Sequence, residues 1–182
     1  MRGDATASIG FERKLAEAAL AIDSYNRLMT YRITGIDPAP YRRLFGRSDE
    51  ELAAEGVVRM TVTDPTFPCR VSLTDRAIGE KVLLLNHVSH DVANPYRSSH
   101  AIFVTEAVEE PAEYVDEVPP VFRTRVLSLR GFTADGMMAD AILTQPGEAD
   151  AGIRKLLENP EIATIHAHNA TRGCFAAKIE RN

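Results

Sequence analysis

Tryptophan is absent from this 182-residue chain, and cysteine occurs only twice, as Cys69 and Cys174. Two thiols are too few for a disulfide scaffold and too few for a cysteine-built zinc site. Long apolar runs are also missing. Val82-Leu83-Leu84-Leu85 is typical of the longest, whereas a membrane-spanning helix takes about 20 such residues. There is no basic stripe either: 21 Lys and Arg are scattered among 26 Asp and Glu, for a net charge of −5. That excludes the electrostatic footprint of a nucleic-acid binder. Glycine-rich phosphate loops, Gly-x-Ser-x-Gly elbows and Walker patterns do not occur. What remains is ordinary globular material, 45% hydrophobic and 26% charged, in a chain long enough to bury one self-sufficient core.

The N-terminus could pass for a targeting signal, with Arg2, Arg13 and Lys14 ahead of an apolar stretch. Glu17 interrupts that stretch and Asp23 closes it, so residues 15–22 read as a helix with Leu15, Ala18, Ala19 and Ile22 on one face. Without a signal the expected compartment is the cytoplasm, where both thiols stay reduced. Met29 is an alternative start, since Tyr31-Arg32-Ile33 opens a strand-like alternation. The expected layout is a dispensable helical extension over residues 1–28 and a single domain over 29–182.

Within that domain the pattern predicts a strand at 31–36, then a break at Asp37-Pro38-Ala39-Pro40. A short helix at 41–45 follows, ended by Gly46. Ser48 and Glu51 have capping-box spacing for the next helix, which stops at Gly56. Strands are predicted at 57–63, 69–73, 80–86 and 100–108, with a long irregular loop from His87 to Ser99 and a surface loop over 109–120. Pro119-Pro120 leads into a short helix ending near Val126. Asp135-Gly136 marks a hairpin between 126–134 and 137–144. Residues 148–157 form a helix with Ile153, Leu156 and Leu157 on its apolar side, and a last strand pair covers 162–168 and 174–180. Strands dominate without βα alternation, which predicts an α+β fold: a largely antiparallel sheet with a few short helices.

All five histidines lie between His87 and His168. On a strand, Thr164, His166 and His168 share one face while Ile165 and Ala167 share the other. The connection at 169–173 is short. If its register sets residue 168 opposite 174, Cys174 meets His168 as a thiol–imidazole pair, with Asn169 orienting the ring; a one-residue slip separates them. In that reading Cys174, His168 and Asn169 are the candidate catalytic residues of a small enzyme. A second reading is a divalent metal such as zinc on His100, His166 and His168, with His87 or His90 as further donors. A third is a non-catalytic domain binding a small molecule. Arg97, His100, His166, Arg172, Cys69 and Arg70 are its candidate contacts, and the arginines favour an anion. The alternative for Cys174 is a buried small hydrophobe; Cys69 reads first as a core thiol, and Arg97 first as a loop arginine making carbonyl contacts. His166 and His168 are expected to face a cleft with His100, because that strand face has little apolar content.

Several of these stretches also carry a resemblance. They are Tyr31-Arg32-Ile33-Thr34-Gly35, Leu44-Phe45-Gly46, Phe67-Pro68-Cys69-Arg70-Val71-Ser72-Leu73, the segment Pro95–Val104, Asp135-Gly136-Met137-Met138 and Ile165–Phe175. In that order they resemble the bacterial family called domain of unknown function 1203, over roughly residues 29–182, with His166–Phe175 the most specific element. The resemblance implies a single domain and points to Cys69, Arg70, Arg97, His100, His166, His168, Asn169 and Cys174. It implies no activity and no cofactor.

Overall fold

Among the described residues nine strands and four short helical segments alternate irregularly, and their strand pairings are antiparallel. The computed structural model describes residues 30–107 and 110–182, with Lys14. The expected helix at 15–22 and the alternative start at Met29 fall outside the described residues. The elements are β1 (Tyr31–Thr34), a 3₁₀ helix (Ala39–Leu44), α1 (Asp49–Ala54), β2 (Val58–Thr61), β3 (Lys81–His90) and β4 (Ser98–Val104). β5 (Glu113–Val115), α2 (Pro120–Arg123), β6 (Leu127–Phe132), β7 (Met138–Thr144), α3 (Ala149–Leu157), β8 (Thr164–Asn169) and β9 (Phe175–Arg181) follow. One sheet has six strands in the order β5-β1-β9-β8-β6-β7, and the other has three in the order β2-β3-β4. Residues Tyr31–Asn182 make one compact unit, an α+β domain as the pattern predicts. Among the described residues no helix is long and apolar enough to cross a membrane.

Register divides the six-stranded sheet into two faces. Ile33, Ile179 and Ile165 pair across neighbouring strands, as do Ala177, Ala167 and Leu129, and all six are fully buried. This is the apolar face, and α3 lies along its β6–β7 end, burying Ile153, Leu156 and Leu157. Gly152 makes that approach possible: a Cβ there would sit 2.4 Å from Thr144 Cγ2 and 3.0 Å from Leu129 Cδ1. The opposite face carries Lys178, His166 and Arg130 in one row, and Phe175, His168 and Ser128 in the next. The three-stranded sheet covers it. Phe175 packs into the cluster formed by Leu83, Leu85, Ile102 and Val104, which Leu44, Leu52 and Val57 close from the other side.

The capping box forms as expected, with the Ser48 hydroxyl accepting from the Glu51 amide and the Glu51 carboxylate accepting from the Ser48 amide. Three other segments differ from expectation. Residues 69–73 form a tight turn in place of a strand: the Cys69 amide donates to Thr74 O at 2.9 Å and the Leu73 amide to Cys69 O at 3.0 Å. Leu73 is left-handed at φ 53°. Backbone groups of this segment go to three different neighbours and build no single ladder. Arg70 N–H bonds Phe103 O, Arg70 O accepts from Ile36 and Val71 O accepts from Ala112. The expected loop at 87–99 is shorter, because β3 runs on to His90 and β4 starts at Ser98, with a bulge between Val88 and His90. Inside the expected surface loop at 109–120, β5 adds an edge strand to β1.

The turn at 69–73 is pressed against β1. A Cβ on Gly35 would lie 2.0 Å from Val71 O and 3.0 Å from Arg70 O, both rigid backbone atoms. Gly35→Ala is therefore expected to cost about 2–3 kcal/mol or more. Urea unfolding measures it, and a loss below about 0.5 kcal/mol would show that the turn can move away.

Candidate functional site

Along the inner face of β3 and β4 the cross-strand pairs run Leu83–Val104, Leu85–Ile102, then His87–His100. The aliphatic core thus ends in imidazole, against the face of β8 that carries His166 and His168. The His100 and His168 rings lie 4.9 Å apart and His90 and His166 5.0 Å apart. Phe175 contacts His87, His166 and His168, and Phe132 contacts His90 and His166. The expected convergence of His100, His166 and His168 is present. The expected cleft is not: His166 is 3% exposed and His168 1%, and neither lines either of the two larger cavities. Both faces of β8 are buried, because the covering sheet is itself polar at this end and so has no apolar signature.

Individual hydrogen bonds fix the rings. His168 Nδ1 donates to Gly173 O at 3.1 Å and His90 Nε2 to Gly136 O at 2.9 Å, since a carbonyl can only accept. Gly136, at φ 79° in the turn between β6 and β7, thus serves both the hairpin and the histidine layer. His100 Nδ1 pairs with the Ser89 hydroxyl at 2.9 Å and His87 Nδ1 with the Tyr41 hydroxyl at 2.7 Å. Burial disfavours the charged imidazole at His87, His100, His166 and His168. It pushes His166 down to about 3, helped by His90, His168 and Lys178. It pushes His168 down to about 4, helped by Arg130 and opposed by the Gly173 carbonyl. His100 is lowered by burial and then by Arg130 and Arg70, and His87 by burial and then by His100. Among the described residues no three His, Cys, Asp or Glu side chains are set to hold one metal ion, so His100, His166 and His168 do not form the expected ligand set.

Cys174 and His168 do not face each other. A bulge between Ala167 and His168 sets Phe175 opposite His168, and Cys174 falls at the turn beside Asn169. The Asn169 amide donates to Cys174 O at 3.0 Å and the Gly173 amide to Asn169 O at 2.7 Å. The slip that separates thiol from imidazole is thus present. The sulfur instead accepts from Arg70 Nη2 at 3.2 Å and from Asn169 Nδ2 at 3.3 Å. Asn169 therefore contacts the thiol and does not orient a ring. Its Oδ1 is buried without a partner.

Cys174 opens on a cleft of about 370 Å³, also lined by Arg70, Arg125, Arg172, Asn169 and three threonines. Among the described residues no acidic side chain lines it. Arg70 is 2% exposed and donates to Phe175 O and Pro68 O, both at 2.6 Å; burial lowers its pKa. Arg125, which the sequence did not single out, is clamped by both oxygens of Asp75 and bonds Val121 O. Arg172 is exposed at the hairpin tip. The remaining candidates lie elsewhere. Cys69 is fully buried in the core, and Arg97 pairs with Asp91 at 2.9 Å on an exposed loop. A second cavity of about 310 Å³ lies by His87, Ser89 and Phe175, where Lys178 and Glu180 already neutralise each other at 3.0 Å.

Residues 66–181 match the model of the family described as "Protein of unknown function (DUF1203)", well over half of the chain. The chain belongs to this family. The matched segment takes in the cleft, the turn at 69–73 and all five histidines, while β1, α1 and β2 precede it. No curated protein and no solved structure matches the chain.

The histidine layer generates a pH prediction. Both folded values lie below the roughly 6.5 of an unfolded histidine, so as pH falls the unfolded chain takes up protons first. From these two groups no penalty applies above about pH 6.5. Between 6.5 and 4 stability should fall by up to about 2.7 kcal/mol per pH unit, two protons' worth. Urea midpoints across pH 7 to 4 measure it, and a flat profile would mean that the imidazoles are hydrated.

Proposed function

We propose that this domain binds a small anionic molecule, a carboxylate or a phosphate, in the cleft of Arg70, Arg125 and Arg172. One observation carries the reading: three guanidinium groups line a single cavity that has no acidic lining residue among those described, in a chain of net charge −5. The donors divide by role. Those of Arg70 and Arg125 are engaged by protein acceptors; Arg70, bonded only to carbonyls and a sulfur, contributes positive potential, whereas Arg125, paired with the Asp75 carboxylate, contributes mainly shape. Arg172 at the rim is the group placed to form a bidentate contact with an incoming anion. Thr66, Thr124 and Thr171 add hydroxyls around the same space.

The other two readings gain less. The metal reading lacks a ligand set among the described residues, and the paired Cys174–His168 enzyme lacks its geometry.

The test is thermal denaturation in a panel of inorganic phosphate, phosphate monoesters and di- and tricarboxylates at low salt. An anion at a hundredfold excess over its Kd should add about 2.7 kcal/mol, raising Tm by roughly 5–10 °C. Arg172→Gln should remove most of that shift while leaving the Tm of the free protein nearly unchanged. If no anion shifts Tm, or if the shift survives Arg172→Gln in full, the cleft is not the site.

A further inference from the structure

Arg70 poses a problem of charge. Its side chain is 2% exposed, and a guanidinium stays protonated at any ordinary pH. A buried charge needs a counter-charge. Its hydrogen-bond acceptors are the carbonyls of Pro68 and Phe175 and the sulfur of Cys174, with no carboxylate among them. Cys174 Sγ is therefore the one acceptor of Arg70 that can itself become an anion. The Asn169 amide aims a second N–H at the same atom. Cys174 is half-buried, unlike Cys69, and lines the arginine cleft.

We propose that Cys174, whose sulfur accepts from Arg70 and Asn169 at the wall of the cleft, is a nucleophile toward small anionic electrophiles that enter the cleft past Arg172. This rests on the anion-binding reading and adds a covalent step to it. A sulfur electron pair forms a bond from Sγ to an electrophilic carbon of the bound molecule, the leaving group departs with the pair of the bond that breaks, and the thiol proton passes to solvent. The step does not run through His168, because Phe175 and not Cys174 lies opposite that ring. The preferred class is a molecule whose carboxylate or phosphate can sit at Arg172 while a carbon bearing a leaving group reaches the sulfur. Positive charge at the rim raises the local concentration of such a molecule and orients it.

The experiment compares iodoacetate with iodoacetamide, which present the same carbon and the same iodide leaving group but differ in charge. Alkylation of Cys174 in the full chain is followed by mass spectrometry, and the rate ratio of the two reagents is set against the ratio on free cysteine. The ratio at Cys174 should favour iodoacetate by about tenfold more than on free cysteine, a factor within the reach of one charge-assisted contact. Arg172→Gln should bring it back to the free-cysteine value. Asn169→Ala should slow both reagents, and Arg97→Gln, on a separate loop, should change neither. Cys69 should stay unmodified until the protein unfolds. A ratio at Cys174 equal to that of free cysteine, or a raised ratio that persists in Arg172→Gln, overturns the proposal. Anion-induced Tm shifts measured on the same samples then show whether the binding reading falls with it.

Discussion

The guanidinium of Arg70 is the joint on which this domain turns. Through its side chain it ties Pro68 O, Phe175 O and Cys174 Sγ together. Through its backbone it reaches Phe103 on β4 and Ile36 after β1. One buried residue thus couples the turn at 69–73, both sheets and the β8–β9 hairpin, and its side chain also forms part of the cleft wall. A cation placed there is expensive unless each donor is met, which explains why the surrounding chain folds so tightly. Gly35 lies against the carbonyls of Arg70 and Val71 with no room for a Cβ. Pro68, which has no N–H of its own to satisfy, contributes only an acceptor.

A second constraint follows from the way the interior changes character. Next to Arg70 the space between the sheets is aliphatic, and two residues further along β3 and β4 it becomes imidazole. Neutral histidine packs well against Phe132 and Phe175, because a flat ring with one N–H needs only one or two polar partners. Gly136, Gly173, Ser89 and Tyr41 supply them. Arg130 and Arg70 stand near enough to His100 and His168 to disfavour protonation. The layer is a polar-looking sequence that is largely buried, with His166 and His168 packed as core.

How much of this could be read from the sequence depended on whether a local rule was decisive. The Ser48–Glu51 cap, the α3 helix and the β8–β9 pair each carry a strong short-range signal, and each is present. The segment Cys69–Leu73 alternates like a strand, but its backbone partners come from β4, from the residue after β1 and from Ala112, which no window of sequence contains. His87 to His90 extends β3 without apolar alternation, because histidine occupies the inward positions. At the site, the shared face of His166 and His168 was legible from period two, and so was the pull of His100 toward them. Their burial was not, since it depends on the second sheet. The thiol's partner was lost to a single bulge at the Ala167–His168 step, and Arg125 carried no signal because its place in the cleft comes from Asp75 and Val121.

The central claim is that Arg70 and Cys174 form one interacting unit that holds the cleft to the core. The most direct measurement is a double-mutant cycle on Arg70→Met and Cys174→Ala, with urea unfolding of the wild type, both single variants and the double variant. If the sulfur is the partner of the buried guanidinium, the two substitutions couple by more than about 1 kcal/mol. Arg70→Met alone should cost about 3 kcal/mol or more, because it also removes the bonds to Pro68 O and Phe175 O. Additivity to within about 0.5 kcal/mol would contradict the account, since Arg70 and Cys174 would then be neighbours with no electrostatic bond between them.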